Sequence, residues 1–357
     1  MQDIHPVINS FAIEGELLSV KANKSGHINS TYIATFSDGQ KYTIQRVNRA
    51  VFPKPQAVMQ NIHLITSHIQ QKVAHLPDTN RRCLSLVPSK TGEHFSLDND
   101  GELWRAYRYI DEVDVFPFLE DAELAYRFGE AVGTFQAYLA DFPAAKLSTT
   151  IEKFHHMGHR YSQLKDAIHH NLSNRLSNVE AEVSYLLTEE KRGMVLTNAL
   201  ESGAVPLRVT HNDTKISNIL FDKHTKEGLC MIDLDTVMGG TILFDTGDML
   251  RTGCITASED EQDLKKVHCD AALFTAMLEG YSAKAGSFLT ETETLLLAES
   301  GRATTQIMAV RFLTDYLNGD VYYHIEHPTH NLDRARTQIT LMQDMDRKWE
   351  GIMKALS

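Results

Sequence analysis

No C-x-x-C pair occurs in the 357 residues, and the four cysteines, Cys83, Cys230, Cys254 and Cys269, are scattered. That excludes a disulfide framework and a zinc knuckle, and leaves reduced, mostly buried thiols as the expectation. No run approaches ~18 consecutive apolar residues. The opening Met1-Gln2-Asp3-Ile4-His5-Pro6 lacks the basic start and apolar stretch of a signal peptide, so a cytoplasmic protein with no membrane partner is expected. Basic clusters are missing too: Lys+Arg 35 against Asp+Glu 47 gives a net charge of −12. Nucleic acid and anionic membranes need a basic footprint, so neither is expected, and a phosphate ligand must be held by local donors and a metal. There is no internal repeat, no low-complexity linker and no evident obligate protein partner.

What the chain does have is length for two lobes and a change of period. The front third alternates β-branched and aromatic residues at Thr31–Phe36 and Tyr42–Ile44, around an Asp38-Gly39 hairpin turn. Leu103–Ile110 reads as a further, central strand. Apolar residues at Val58, Ile62, Ile65, Ile69 and Val73 predict one long helix between them. From Asp121 the period becomes helical, with helices expected near 121–141, 151–172, 178–203, 262–285, 291–318 and 331–355. The start near 262 rests on a capping-box spacing in Ser258-Glu259-Asp260-Glu261. The expectation is α+β: a small mixed-sheet N-terminal lobe over 1–110 and a larger, mainly helical lobe over 111–357. Among the seventeen histidines, His155 and His159 have zinc-ligand spacing, but His156 stands where a zincin has Glu, so polar helix surface is the expected reading.

One non-helical island interrupts the helical part. An apolar strand leads into H-x-D-x-x-x-x-N (His211, Asp213, Asn218), then a hairpin, then a strand ending Ile232-Asp233-Leu234-Asp235. Each piece answers a need of phosphoryl transfer. An acceptor hydroxyl needs a carboxylate to orient it and take its proton, which suits Asp213. Phosphates need Mg²⁺ on oxygen ligands, which suits Asn218 and Asp233. Lys215 can offset charge on the transferred group, and His211 can brace the loop. The grammar is that of the protein-kinase catalytic loop, with Asn212 in place of Arg and no Asp-Phe-Gly.

This stretch resembles the aminoglycoside phosphotransferase and choline kinase superfamily of small-molecule kinases, and within it the N-acetylhexosamine 1-kinase group. The resemblance rests on His211–Asp222, Ile232–Met238, Asp245-Thr246-Gly247-Asp248 and Arg311–Asp320, and runs from Gly26 nearly to the C-terminus. It implies a two-lobed, kinase-like fold, ATP as co-substrate, Mg²⁺, and a sugar phosphorylated at its anomeric hydroxyl. Ser25-Gly26-His27-Ile28-Asn29-Ser30 would cover the phosphates, with Gly26, His27 and Asn29 as contacts. The family's phosphate-binding Lys or Arg would fall at Gln45 or Arg46, with Arg46 favoured. Tyr109 and Asp111 would lie at the hinge that meets adenine. Asp245 and Asp248 are expected to brace the loop or cap a helix. Arg311 and Tyr322 could present a guanidinium and a phenol to sugar hydroxyls, or form a buried salt bridge with Asp315 or Asp320 and a core tyrosine. Homoserine, choline or an aminoglycoside as acceptor, and a nucleotide-binding pseudokinase, are the competing readings.

Overall fold

The computed structural model describes residues 4–23 and 28–356. After a short helix α1 (His5–Ile8), strands β1 (Leu17–Asn23), β2 (Ser30–Phe36) and β3 (Lys41–Arg46) form a meander. Gly39 at φ 83° and the Asp38 carboxylate, which accepts from Gln40 N–H at 2.9 Å, make the expected β2–β3 turn. Helix α2 (Pro55–Val73) follows, then β4 (Leu86–Val87), β5 (Ser96–Leu97) and β6 (Leu103–Arg108). The sheet runs β1-β2-β3-β6-β4, with β5 also on β6. Every pairing described in it is antiparallel, which corrects the expected mixed sheet.

The pleat divides this sheet's side chains between two faces. Tyr42 and Ile44 of β3, with Trp104 and Ala106 of β6, pack under Ile4, Val7, Ile8 and Phe11. Leu103 and Tyr107 face the other way, toward Val58, Ile62, Ile65 and Ile69 of α2. Gln45 and Arg105 are register partners with the parity of that second, inward face.

Between Arg108 and Val113 the chain leaves this sheet for a second one. There β7 (Val113–Asp114), β9 (Ile219–Asp222) and β10 (Gly228–Met231) line up in the order β10-β9-β7, while β8 (Arg208–Thr210) pairs with β11 (Met238–Gly240). The rest is helical: α3 (Ala122–Leu139), α4 (Met157–His170), α5 (Glu180–Gly193), α6 (Val195–Glu201), α7 (Ile242–Cys254), α8 (Ala271–Ala285), α9 (Glu291–Leu317) and α10 (His330–Leu356). Helices α3 and α8 touch backbone to backbone, since a Cβ on Gly129 would stand 2.0 Å from Met277 O. All four cysteines are buried and free. Among the described residues no helix is long and apolar enough to cross a membrane.

Three helix expectations need correction. Helix α8 starts at Ala271, not near 262, because Asp270 accepts from the N–H groups of both Ala272 and Leu273. The expected 178–203 helix is two, α5 and α6. The expected 151–172 helix starts at Met157, with His156 as its N-cap accepting from His159 N–H at 3.1 Å. His155 therefore precedes the helix and is buried rather than polar surface.

Candidate active site

Strand β8 delivers the chain into the loop from His211 to Asn218. Asn212 takes φ 67°, a conformation that asparagine tolerates better than most residues, and its amide donates to Thr210 Oγ1 at 2.9 Å and Thr236 O at 2.8 Å. Asp245, in the first turn of α7, accepts the N–H of His211 at 2.9 Å and of Asn212 at 2.7 Å, and Gln136 Nε2 at 3.0 Å. Burial pushes the Asp245 carboxyl up, against the pull of His211 and those N–H groups. Asp245 thus braces the loop, as expected. His211 Nδ1 accepts from Asp213 N–H, so its Nε2 is the nitrogen left to donate to Ile232 O at 2.9 Å. The ring ties the loop to the chain entering Asp233.

Asp213 Oδ2 accepts from Asn218 Nδ2 at 2.8 Å and pairs with Lys215 Nζ at 3.1 Å. Burial alone would raise this carboxyl, but Lys215, His211 and the Asn218 amide outweigh it and hold it below its ordinary value. Burial works against the Lys215 charge, while Asp213 and Asp233 keep it protonated. The Asp213 side chain is 33% exposed, so an ionised carboxylate is reachable from outside. Asp233 sits at φ 63°, and its carboxyl is pushed up to about 6 by burial and by the neighbouring charges of Asp235 and Asp213. That crowding of negative charge suits a cation. Asn218 Oδ1 and the Asp233 oxygens are hard donors of the kind Mg²⁺ takes. Among the described residues no group of three or more His, Cys, Asp or Glu could hold a metal alone, so phosphate and water oxygens would have to complete the shell.

The sheet side of the cleft differs from expectation. Arg46 has the parity of Tyr42 and Ile44, and its guanidinium bonds Ser30 Oγ at 3.3 Å. By that parity it lies on the opposite face of β3 from Gln45, so the two candidates for the phosphate cation point away from each other. Gln45 is on the inward face, donating to Thr31 Oγ1 at 3.1 Å and accepting from Arg105 Nε at 3.0 Å. Arg105, fully buried, also pairs with Asp235. Asn29 donates to the other Asp235 oxygen at 2.6 Å. Gly26 and His27 lie outside the described residues. Asp111 makes an exposed ion pair with Lys41, whose ammonium also lies 5.4 Å from the Tyr109 ring. The Tyr109 N–H is already given to Lys41 O and the Asp111 carbonyl accepts from Arg81, so these two backbone groups at the expected hinge are engaged.

On the far side of the loop, Arg311 of α9 is buried and makes no ion pair among the described residues. Its guanidinium stands 4.9 Å from the Phe154 ring, 5.5 Å from Tyr323 and 5.7 Å from Tyr322. The two acids that could have neutralised it are engaged elsewhere. Asp315 accepts the N–H groups of Val321, Tyr322 and Tyr323, and Asp320 pairs with Arg175. Tyr322 is 61% exposed, while its neighbour Tyr323 is half-buried, with its hydroxyl oxygen covered. Tyr323 Oη, His155 Nδ1 and Asp248 Oδ2 are among the buried polar atoms with no partner in the described residues. His155 Nε2 meets Asn212 O at 3.2 Å, and burial together with Arg311 holds its ring neutral, down to about 3. Phe154, His155, Asn212 and Phe244 line one cavity beside the loop. Sequence reasoning missed Arg105, Asp235 and Tyr323, and read His155 as polar helix surface.

The sequence profile of the phosphotransferase enzyme family matches residues 19–287. An aminoglycoside phosphotransferase from Alicyclobacillus acidocaldarius has a similar structure, with 13% identity over 98% of this chain and 95% of that one and a TM-score of 0.64. So has amicoumacin kinase, solved with AMP-PNP and Ca²⁺, at 13% identity over 92% and 90% and a TM-score of 0.58. Choline kinase from Cryptosporidium parvum matches at 14% identity over 94% and 91%, with a TM-score of 0.52. At such identities the likeness speaks for the fold, a kinase-like α+β architecture.

Proposed function

The chain belongs to the phosphotransferase enzyme family, and on that premise we propose that it transfers the γ-phosphoryl group of ATP to a hydroxyl of a small, uncharged, polyhydroxylated acceptor, specifically the anomeric hydroxyl of N-acetylhexosamine (GlcNAc or GalNAc). Asp213 orients the acceptor hydroxyl and takes its proton. Lys215, kept charged by Asp213 and Asp233, offsets the charge that develops on the transferred group. Asn218 and Asp233 would hold Mg²⁺, which supplies charge neutralisation on the phosphates. His211, Asn212 and Asp245 keep the loop in shape, so that little reorganisation is left for the reaction. In this reading residues 1–110 serve the nucleotide and 111–357 the acceptor and the chemistry.

The observation that carries the acceptor class is the aromatic surround of Arg311. Stacked aromatic faces are how proteins hold ammonium ligands. Here the faces of Phe154, Tyr322 and Tyr323 surround the chain's own guanidinium. A cationic amino alcohol or aminoglycoside would lose that cage and meet a like charge. A sugar hydroxyl instead gains a charged donor in Arg311, with the unpartnered His155 Nδ1 and Asp248 Oδ2 as acceptors.

A panel with Mg·ATP and GlcNAc, GalNAc, glucose, choline, homoserine and kanamycin tests this. The expected result is a kcat/KM for an N-acetylhexosamine at least a hundredfold above that for choline or kanamycin. Preference for an amine would overturn the acceptor class, and nucleotide binding without turnover on any acceptor would make the chain a pseudokinase.

A further inference from the structure

In the protein-kinase arrangement a lysine on the third strand holds the nucleotide phosphates and is itself held by a glutamate on the following helix. Both halves of that pair are missing here. The inward-facing residue of β3 is Gln45, Arg46 faces the other way, and α2 contains no Asp or Glu. The strand beside β3 supplies what is lacking. Arg105 is the register partner of Gln45 across the β3–β6 ladder, and it lies between Leu103 and Tyr107 on the inward face. Side chains directly opposite on one face of an antiparallel pair stand close enough for one to replace the other.

The guanidinium is fully buried and has one nitrogen left over. Nε donates to Gln45 Oε1 at 3.0 Å and Nη1 pairs with Asp235, while Nη2 donates to nothing among the described residues. The proposed metal ligand Asp233 lies two residues before Asp235 on the same stretch, and its charge also favours the Arg105 cation. A guanidinium can bond a carboxylate through one nitrogen and a phosphate through another, which an ammonium on a flexible stem does less well. A neutral Gln45 is what this geometry needs on β3: it accepts from Nε and, through its own amide bonded to Thr31 Oγ1, fixes the fork's direction. A lysine there would repel Arg105.

We propose that Arg105, reaching in from β6, is the residue that binds the nucleotide phosphates in this chain, with Asp235 and Gln45 as its positioning residues. The proposal rests on the phosphotransferase reading for the identity of the ligand, but not on the acceptor.

Calorimetric titration of Mg·ADP and Mg·ATP into the full-length wild type, Arg105→Gln and Arg105→Gln/Gln45→Lys tests it, with the melting temperature of each recorded. Arg105→Gln should weaken nucleotide binding roughly ten- to hundredfold, the range of a hydrogen bond to a charged group, and leave the acceptor KM within about twofold. Lysine at position 45 should restore most of that affinity, because it returns the cation to the same face from the opposite strand. Arg105→Gln strips Asp235 of its charged partner and leaves it the Asn29 amide alone, so Arg105→Gln/Asp235→Asn is measured alongside as a variant that leaves no buried lone charge; it should lose nucleotide affinity to the same degree. A folded variant of either kind that binds Mg·ATP within twofold of wild type would overturn the assignment and leave Arg105 as a brace for Asp235. A wild type that binds Mg·ATP but phosphorylates nothing would overturn the proposed function, while loss of binding in Arg105→Gln would still support this assignment. A wild type that binds no Mg·ATP would overturn both.

Discussion

The loop from His211 to Asn218 and the aromatic surround of Arg311 each send a residue, Asn212 and Phe154, to one cavity, and they are built on opposite principles. In the loop, polar groups are largely satisfied by near neighbours: Asp213 by Lys215 and Asn218, His211 by Asp213 N–H and Ile232 O, Asn212 by Thr210. In the wall a buried guanidinium has aromatic rings but no carboxylate, and Tyr323 Oη and His155 Nδ1 have no partner among the described residues. A satisfied loop is rigid before the substrate arrives. Buried polar groups left open cost stability in the empty protein, and that cost is recovered when a ligand meets them. Under the proposed function, the difference separates the part that does the chemistry from the part that selects what undergoes it.

The largest effect that would sharpen this contrast is at Asp233. Asp233→Ala should cut turnover at saturating Mg·ATP by more than ~10³, beyond the ~10²–10⁴ range's lower end for a single positioned group. The protein should stay folded, because relief of the crowding by Asp235 and Asp213 works against the cost of placing alanine at φ 63°. Full activity would remove Asp233 from the metal. Next in size is Arg311→Met, for which the acceptor KM should rise roughly 10- to 100-fold with the ATP KM nearly unchanged. No carboxylate is stranded by that change, so the apo protein should be at least as stable as wild type. A lower melting temperature with an unchanged acceptor KM would return Arg311 to the core and break the contrast.

The smallest effect is the pH dependence at His155. Its folded-state value is held down to about 3, so below its ordinary value near 6.5 the unfolded chain takes up a proton that the folded chain refuses. Its contribution is present above pH 6.5 and is lost as the pH falls toward 3, by about 2 kcal/mol between pH 7 and pH 5. Urea unfolding of wild type and His155→Gln at those two values checks this. The variant should lose less stability than wild type on acidification, and equal losses would contradict the burial of a neutral ring.

The same contrast explains what could be read from the sequence. The loop is legible because its partners are close in the chain and its flanking strands are short apolar runs. The long-range half is not. Arg105 meets Asp235 across 130 residues of sequence, and no local pattern pairs them. A signal did exist, an arginine at the inward parity of an otherwise apolar strand between Leu103 and Tyr107. Choosing Arg46 over Gln45 required knowing which face of β3 turns inward, and a strand sequence with Tyr42 and Ile44 on one side does not say which side the cleft is on. Helix α7 went unread because it is buried on nearly every side, and its Asp245 and Asp248 were read as loop braces or helix caps. His155 was set aside because its stretch was taken as helix, when the His156 cap starts α4 one residue later.

The central claim, that the ionised carboxylate of Asp213 faces the acceptor hydroxyl and takes its proton, is tested most directly by Asp213→Asn. Asparagine has nearly the same shape but cannot accept the proton. One variant, measured for kcat, nucleotide affinity and melting temperature, suffices. The account predicts that kcat falls by ~10²–10⁴, that Mg·ATP affinity stays within a few-fold because the phosphates are held by other residues, and that the protein stays folded. Retained kcat together with a lowered melting temperature would mean that Asp213 only shapes the loop, and would contradict the claim.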